Sequence, residues 1–329
     1  MSETKIVVIG GGMAGLAAAA AFAGPGVSVT IVDPSPPGGV FAQGGFKYFH
    51  DTPDSRRMLG AAELMLEGSV PVRGGILLDG EVRPYPEWLR DMPQPQAQSI
   101  MDQHYAKTRG GQRPVGGKAM NDPFGDKPGR LIFDPAKFIK GVLKRVTWLP
   151  MSVTMVTDEY VSNGSRGVAY DFLINTLDVR LFAHLARRTV PELVEHTEKA
   201  RTTDVTIFRV ITDSDRLAGF DYIYTPFTHN DTIHRVSRGA SWYDCETAKP
   251  MGKQLAGAFS DIGSIFSAKP LVTFAATIPG HVCPFEGEQA FTDSLRDHWI
   301  MVGRFASWDG RCTVDKAFRQ ALDAKIELL

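Results

Sequence analysis

The N-terminal part of the chain alternates between apolar runs and a glycine-rich break. Residues 5–9 (KIVVI) form a continuous, β-branched apolar run, which predicts a strand buried in a parallel sheet. Residues 16–23 are almost all alanine with Leu and Phe, and this composition predicts a helix that packs closely against a sheet. A second β-branched run, residues 27–32 (VSVTIV), predicts another strand. The pattern is that of a strand–helix–strand unit with parallel strands.

The middle of the chain breaks this pattern. Helices are predicted over residues 55–66, 95–105 and 134–146. Pro135 stands in the first turn of the last of these helices, where proline is well tolerated. Asp79 and Gly80 predict the turn of a short hairpin over residues 76–82. Residues 108–128 are rich in Gly, Pro, Lys, Arg and Asp, and therefore predict a loop.

Alternation of apolar and polar residues dominates the second half of the chain. The alternating stretches, within residues 205–285, are VTIFRVI, FDYIYTPF, TIHRVSR and LVTFAATI. A period of two predicts strands of an antiparallel sheet. Nearer the C-terminus, residues 299–302 predict a strand and Thr313 a helix N-cap. The helix that follows has one apolar face, made of Val314, Ala317, Phe318, Ala321 and Leu322.

Length and composition restrict the class of protein. With 329 residues, 43% apolar and 22% charged, the chain is expected to be globular with about two domains. A net charge of −1 gives no electrostatic reason to expect strong non-specific binding to nucleic acid or anionic membrane. Three widely separated cysteines without a CxxC pair indicate reduced thiols. Because no signal pattern and no run of about 20 apolar residues occurs, we expect a soluble, cytoplasmic protein.

The break after the first predicted strand carries a GxGxxG motif, Gly10 to Gly15 with Met13 and Ala14 inside it. In a dinucleotide-binding unit the first glycine permits the tight turn and the second lets the backbone approach a pyrophosphate. The third lets helix and strand touch, and the helix N-terminus offers unpaired N–H groups to the phosphates. Asp33 ends the second strand 18 positions after Gly15, where an acid would accept a hydrogen bond from a ribose hydroxyl. The motif therefore predicts a bound dinucleotide.

Two glycine pairs past the second strand, Gly38-Gly39 and Gly44-Gly45, favour FAD. Here the sequence resembles the flavin-containing amine oxidase and UDP-galactopyranose mutase superfamily, whose FAD motif continues into a GG turn and a segment along the isoalloxazine ring. Two later segments, YDFLINTLDVRLF and WIMVGRFASWDGRCTVDKAFRQA, are also similar to that superfamily. The later glycine clusters lack a preceding apolar strand, so a second dinucleotide domain is not expected.

The resemblance implies FAD contacts in several segments of the chain. Beyond the motif, those along the flavin are Gly39, Gly44, Gly45 and Phe46. A strand over residues 151–157, which includes Val153, would contact the adenine. Gly303 and Arg304 would approach the pyrophosphate. Thr313 and Val314 would approach the pyrimidine edge of the flavin.

The expected fold is α/β, with a Rossmann-like FAD-binding domain and a discontinuous α+β substrate domain that contains an antiparallel sheet. The FAD-binding domain is expected from residues 1–50, 129–182 and 290–329. The substrate or cap domain is expected from residues 51–128 and 183–289.

Two departures from the mutases limit what the resemblance implies. The insertion after the flavin segment is much shorter here, so a nucleotide-sugar platform looks truncated. The mutase pattern GAHxFH is replaced by GFKYFH, which puts Lys47 where the mutases have the histidine against the flavin and retains His50. Lys47 would act there as a base or hold a carboxylate, with a snorkelling surface lysine as the alternative. Arg235 matches a substrate-binding arginine of the mutases, with a solvated charge on a sheet edge as the alternative.

Three functions follow from these residues. The first is an FAD-dependent oxidoreductase or lyase acting on a C–N bond of an amine or amino-acid-like substrate, which includes amino acids attached to modified nucleobases in phage DNA. Basic residues of one loop region would then contact phosphates: Arg109, Arg113, Lys118, Lys127 and Arg130. The second is a mutase-like isomerase in which reduced flavin attacks a sugar carbon. The third is a non-catalytic FAD-binding protein. The sequence does not predict an oligomeric state.

Overall fold

The computed structural model describes residues 3–39, 49–64, 68–85, 87–109, 129–131, 133–225, 232–239, 241–247, 255–283, 285–308 and 312–328. The chain forms two compact units. Unit 1 comprises Met1–Val70, Gly129–Arg201 and Val282–Leu329, and unit 2 comprises Pro71–Pro128 and Thr202–His281. The expected domain boundaries at residues 50, 182 and 289 all fall within unit 1, and the roles of the two units stay predictions.

The described strands, in chain order, are β1 (Thr4–Ile9), β2 (Val27–Val32), β3 (Phe49–His50), β4 (Ser69–Val70), β5 (Gly74–Leu78), β6 (Glu81–Tyr85), β7 (Arg130–Leu131), β8 (Thr147–Leu149), β9 (Met155–Val156), β10 (Tyr160–Ser162), β11 (Gly167–Ala169), β12 (Phe172–Asn175), β13 (Arg201–Ile211), β14 (Tyr222–Tyr224), β15 (Ile233–Arg238), β16 (Tyr243–Thr247), β17 (Leu271–Cys283) and β18 (Trp299–Met301). The described helices are α1 (Met13–Phe22), α2 (Pro53–Ala61), α3 (Glu87–Arg90), α4 (Gln94–Arg109), α5 (Pro135–Leu143), α6 (Val179–Ala186), α7 (Glu192–His196), α8 (Leu255–Phe266), α9 (Glu288–Asp293) and α10 (Val314–Leu328). Among the described residues, no helix has the length and hydropathy needed to cross a membrane.

Unit 1 is built on a five-stranded parallel sheet with the strand order β18-β12-β1-β2-β8. β1 lies at its centre, where Ile6 pairs with Val29 of β2 on one side and with Phe172 of β12 on the other. The chain leaves β1 through α1 toward β2 and later reaches β12 on the opposite side, so the strand order reverses at β1. In sheets of this kind, ligands bind at the reversal point, beyond the carboxyl ends of the strands.

Alternate side chains of β1 face two separate cores. Ile6 and Val8 pack with α1 and α10 on one face of the sheet, whereas Val7 and Ile9 pack with α6 on the other. α1 is buried along its length from Gly15 onward, because α10 covers the side that the sheet leaves open. Burial of a side chain such as Phe22 contributes roughly 2–3 kcal/mol to stability, so the core more than the helix propensity holds α1 in place.

Two cationic side chains cap the C-terminal end of α1. The Nζ atom of Lys325, on α10, donates to Ala21 O at 3.0 Å and to Phe22 O at 3.2 Å. The Nη2 atom of Arg145 donates to Ala23 O at 3.0 Å. These contacts satisfy carbonyl groups that lack a partner within the helix, at the end where the helix dipole is negative. Burial lowers the pKa of Lys325, and nearby arginines lower it further.

Unit 2 is built on a seven-stranded sheet with the order β17-β13-β16-β15-β14-β5-β6. The pairs β13–β16, β16–β15 and β15–β14 are antiparallel, as the alternating pattern predicts, whereas β14 and β5 are parallel. α8 packs on one face of this sheet, and α3 and α4 pack on the other. β5 and β6 form the predicted hairpin, in which Asp79 and Gly80 both have positive φ, +48° and +81°. A type I′ turn requires this conformation at both positions.

Two local predictions differ from the structure. The helix predicted over 55–66 begins at Pro53, because Thr52 caps it by accepting from Ser55 N at 3.1 Å. The strand predicted over residues 151–157 is wrong, since only Met155–Val156 forms a strand. That strand belongs to a small antiparallel sheet, β9-β10-β11, and not to the parallel sheet of unit 1.

Candidate functional site

Turns of unit 1 meet at the carboxyl edge of the parallel sheet. Gly10 follows β1, Asp33 follows β2 and Thr176 follows β12, while Gly303 lies two residues beyond β18. Because these strands are parallel, their carboxyl ends lie at one edge. The glycine motif, the acid and the closing segment, which the sequence predicts to act together, are therefore brought together within one unit.

The three glycines of the motif differ in what surrounds them. Gly10 has φ +102°, and a Cβ there would lie 2.4 Å from Thr176 Oγ1. A Cβ on Gly15 would lie 1.8 Å from Gly10 O, closer than atoms can approach, so α1 contacts the turn at this point. A Cβ on Gly12 would meet no atom of the described residues within 4 Å. Gly10 and Gly15 thus serve the turn itself, whereas the space beside Gly12 is open to a ligand.

The N-terminus of α1 lacks the side-chain cap that neighbouring helices have. Gly12 is the N-cap residue, it makes no side-chain hydrogen bond, and the first turn contains no acidic residue. By contrast, the carboxylate of Asp134 caps α5, and that of Asp178 caps α6. The N–H groups at the start of α1, with Met13 and Ala14 half-buried in its first turn, therefore suit an anion.

Asp33 holds the glycine turn through its carboxylate. Its Oδ2 atom accepts from Gly11 N at 2.6 Å, and its Oδ1 atom accepts from Ser35 N at 2.7 Å. The backbone of Gly38 donates to Gly11 O at 2.8 Å, and the Cα of Gly12 lies 3.5 Å from the position of a Cβ on Gly39. The acid is thus fixed beside the motif, and its contact with a ribose remains a prediction.

The C-terminal segment reaches the start of α1 through Gly303. This residue has φ +90°, and a Cβ there would lie 2.7 Å from the Cβ of Ala14. Gly303 N donates to Gln320 Oε1 at 2.9 Å, and Gln320 Nε2 donates to Ser307 Oγ at 3.2 Å. Ser307 Oγ in turn donates to Gly303 O at 2.8 Å. The role of Gln320 in holding Gly303 was not predicted from the sequence. Its position one helical turn after Ala317, beside the apolar face of α10, is the one sequence feature that indicates a side chain near the core.

The other predicted contacts of the closing segment lie near the start of α10. Thr313 is exposed, and its hydroxyl donates to Asp315 Oδ1 at 2.5 Å. Val314 is half-buried against the same core as α1. Arg304 is half-buried next to Gly303, and Val153 is half-buried against the opposite core. Their contacts with a cofactor remain predictions.

Part of the predicted flavin segment lies outside the described residues, namely Gly44, Gly45, Phe46 and Lys47. His50 ends β3, where it pairs with Arg130 of β7. Beside it, Asp51 accepts from Arg56 Nε at 2.5 Å, and this contact lowers the pKa of the Asp51 carboxyl. Of the predicted basic loop region, Arg113, Lys118 and Lys127 also lie outside the described residues.

Arg235 does not lie on a sheet edge, so that alternative is wrong. It lies on β15, between β14 and β16, and its Nη2 atom donates to both oxygens of Glu246, at 2.6 and 2.7 Å. His234 Nε2 lies 3.9 Å from Glu246 Oε2, at an irregularity in the strand register. Burial raises the pKa of Tyr224, the residue opposite Arg235 on β14. Glu246 was not predicted from the sequence as the partner of Arg235. The only sequence feature that indicates it is the alternating stretch YDCET, which predicts that some of its side chains face the interior.

Sequence comparison identifies the cofactor domain. Residues 5–67 match the model of a family described as FAD binding domain. No curated protein matches the chain. FAD as the cofactor is therefore confirmed, by a match over the segment that contains the glycine motif and Asp33.

Solved structures share the fold across the whole chain. A cyclohexylamine oxidase from Brevibacterium oxydans is 10% identical, with a TM-score of 0.70 over 99% of this chain and 98% of that one. A fatty acid isomerase from P. acnes that produces CLA is 12% identical, with a TM-score of 0.70 over 100% of both chains. An oxidoreductase from Methanosarcina mazei is 13% identical, with a TM-score of 0.67 over 98% and 100%. The predicted α/β fold is confirmed by these likenesses. FAD as the cofactor rests on the family match.

Proposed function

We propose that the protein is an FAD-dependent oxidoreductase that acts on the C–N bond of an amine or amino-acid-like substrate. The observation that carries the cofactor part is the N-terminus of α1, which has no side-chain cap and has open space beside Gly12. The amine part is supported by the fold likeness to a cyclohexylamine oxidase. That likeness concerns the fold, so the substrate needs a direct test.

The residues at the sheet edge fit FAD. The N–H groups of α1 would bind the pyrophosphate, and Gly12 would let it approach the backbone. Asp33, already fixed by two backbone N–H groups, would accept from the adenosine ribose with its remaining lone pairs. Gly303 would bring the closing segment against the same phosphates. When bound, FAD supplies the acceptor for the hydride of the carbon that bears the nitrogen.

Lys47 is the proposed base. If Lys47 lies beside the flavin in a partly apolar site, burial would favour its neutral amine, which would take a proton from the substrate ammonium. Only a neutral substrate amine can release hydride readily. His50 is a weaker candidate for the same role. Arg235 would hold a substrate carboxylate, but its charge is already neutralised by Glu246, which weakens that role.

Replacing the lysine tests this role. We expect Lys47→Met to retain FAD and to lose at least about 100-fold in turnover, as loss of a general base does. Lys137→Met, which changes an exposed lysine on α5, is the matched control and should keep full turnover. An active Lys47→Met enzyme would remove the residue from the mechanism.

The substrate need not be small. The proposal includes a lyase or oxidase reaction on an amino group carried by a larger molecule, such as a modified nucleobase in phage DNA. Arg109, Arg113, Lys118, Lys127 and Arg130 would then contact phosphates. The overall charge of −1 does not favour this extension over a small amine.

A flavin-dependent isomerase is the second candidate, because a fatty acid isomerase shares the fold with the same TM-score as the amine oxidase. The form of this candidate that the sequence resemblance suggests is a mutase-like isomerase, in which reduced flavin attacks a sugar carbon. A non-catalytic FAD-binding protein is the third.

Anaerobic reduction distinguishes the three. Purified protein with FAD bound is mixed, without oxygen, with a panel of amines, amino acids and amino-modified oligonucleotides. The proposal predicts that at least one substrate bleaches the flavin absorbance and that oxygen restores it. An isomerase would convert its substrate without lasting bleaching, and one of the mutase type would do so only after chemical reduction of the flavin. A stable yellow protein inactive in both states would support the third candidate.

A further inference from the structure

Exposed apolar side chains gather at one end of the unit 2 sheet. Of the seven large apolar residues that are exposed in the described part of the chain, five belong to β13, α8 and β17. With their exposed fractions, they are Ile211 (47%), Leu255 (41%), Phe259 (45%), Leu271 (64%) and Phe274 (37%). We call these five residues the edge patch. Monomeric proteins normally scatter such residues singly, and a cluster marks an interaction site.

The strand contacts place the exposed residues of β13 and β17 side by side at the edge of the sheet. Thr206 of β13 and Thr277 of β17 have their hydroxyl oxygens 2.9 Å apart, and Thr273 Oγ1 donates to Arg209 O at 3.4 Å. Residue numbers rise along one strand as they fall along the other, so the two strands are antiparallel. The start of β17 therefore lies beside the end of β13, and the exposed residues of the two strands are neighbours.

The exposed residues flank the β17 edge on both faces of the sheet. The helix α8 packs on the face that carries Phe208, whereas Phe274 lies under the guanidinium of Arg209 on the opposite face. The ring of Phe259 lies 5.9 Å from that of Phe208 on β13, measured between ring centroids. Leu255 begins the same helix, one turn before Phe259.

The two ends of this sheet differ in how they are protected. Among the described strands, β6 ends the sheet on one side and β17 on the other. β6 has the sequence EVRPY, and its charges and proline are devices that prevent an edge from pairing with another chain. β17 is 13 residues long and contains no Lys, Arg, Asp or Glu. Its proline, Pro279, stands in its last third, so residues 271–277 are without such protection.

We propose that β17 pairs with β17 of a second copy of this chain, antiparallel and about a two-fold axis. A two-fold pairing sets a segment against itself, so any net charge would face the same charge. The absence of charged residues from β17 removes that repulsion. An edge strand that carries charged residues could form no ion pair with β17. The uncharged β17 of a second copy is therefore the better partner.

The exposed area predicts a dimer of low affinity. With roughly 200 Å² per large apolar residue, the edge patch leaves on the order of 450 Å² exposed on each copy. Complete burial of these residues in two copies would remove at most about 900 Å² of apolar surface, below the ~1,000 Å² at which specific interfaces begin, so the backbone hydrogen bonds of the paired edges must supply the rest. The dimer would join two seven-stranded sheets into one.

Sedimentation of the full chain with FAD bound tests the dimer. We expect a mass twice the 36.0 kDa of one chain at high micromolar concentration and dissociation on dilution. Leu271→Lys combined with Ala275→Lys puts four like charges at the paired edges and should weaken association at least about tenfold. Ile326→Lys is the matched control, because Ile326 is equally apolar and 75% exposed but lies in unit 1, so it should leave the dimer unchanged.

Hydrogen exchange on the unchanged protein keeps the test independent of how the variants fold. The amides of residues 271–277 should be protected at high concentration and exchange faster on dilution, while those around Ile326 stay constant. A wild-type monomer at high micromolar concentration would overturn the proposal. So would a dimer that tolerates both lysines, or protection that does not depend on concentration, since the latter means that another part of the same chain covers the edge.

Discussion

Two helices of unit 1, α1 and α5, begin in opposite ways. At α5, Asp134 Oδ1 accepts from Ala136 N at 2.8 Å and from Lys137 N at 3.4 Å, and proline occupies the first turn. At α1, Gly12 supplies no side chain to its own first turn. A side-chain cap contributes about 1 kcal/mol to helix stability, and α1 lacks this contribution. Burial of its side chains in the core stabilises α1 instead. The N–H groups at the start of α5 are therefore satisfied by the protein itself, whereas those at the start of α1 remain available to a ligand.

The largest expected effect comes from Gly15→Ala, which would break the start of α1. Its Cβ would lie 1.8 Å from Gly10 O, a backbone atom that cannot move without the turn. We expect a loss of about 3 kcal/mol in the free energy of unfolding, at the upper end of overpacking costs, together with loss of FAD. Urea unfolding of the FAD-free protein measures it. An unchanged midpoint would mean that the turn can relax.

Gly12→Val sharpens the comparison, because it should affect the ligand and not the fold. A Cβ at Gly12 meets nothing within 4 Å in the described part of the chain, so the free energy of unfolding of the variant should lie within about 1 kcal/mol of the wild-type value. Its side chain would occupy the space beside the helix N-terminus, and we expect the purified protein to lack the visible flavin absorbance. Full retention of FAD would refute the phosphate-binding role of this turn.

Asp134→Ala is expected to have the smallest effect and tests the other helix. Loss of the cap of α5 should lower the free energy of unfolding by about 1 kcal/mol and leave FAD bound. Asp134→Asn is the matched control, since asparagine caps as well as aspartate. If Asp134→Ala also released FAD, the start of α5 would matter for FAD binding as well, and the proposed difference between α5 and α1 would be wrong.

Local features of the fold could be predicted from the sequence. β1, α1 and β2 follow one another within 29 residues, and their apolar runs and glycines act on neighbours in the chain. The hairpin turn at Asp79 and Gly80 is equally local, because positive φ is required at both positions. The apolar face of α10 could be predicted because helical spacing fixes which residues share it.

Features that depend on distant segments could not be predicted. The partner of Arg235 is Glu246, and which residues of β15 and β16 face each other depends on an irregular register near His234. The strand expected over 151–157 is short because Thr154 N donates to Ser162 O at 2.8 Å, a contact within a separate small sheet. Gln320 reaches Gly303 N only through the packing of α10 on α1. No local pattern contains that information.

The cations at the C-terminal end of α1 have a consequence for how the protein is made. Lys325 and Ala21 lie 304 residues apart in the sequence, and Gly303 reaches the other end of the same helix from a similar distance. Contacts of such separation form late. On the ribosome, α1 therefore emerges as an apolar helix whose covering helix has not yet been synthesised, and such exposed surface favours aggregation. We therefore expect stable binding of FAD only after α10 has been synthesised and packed on α1.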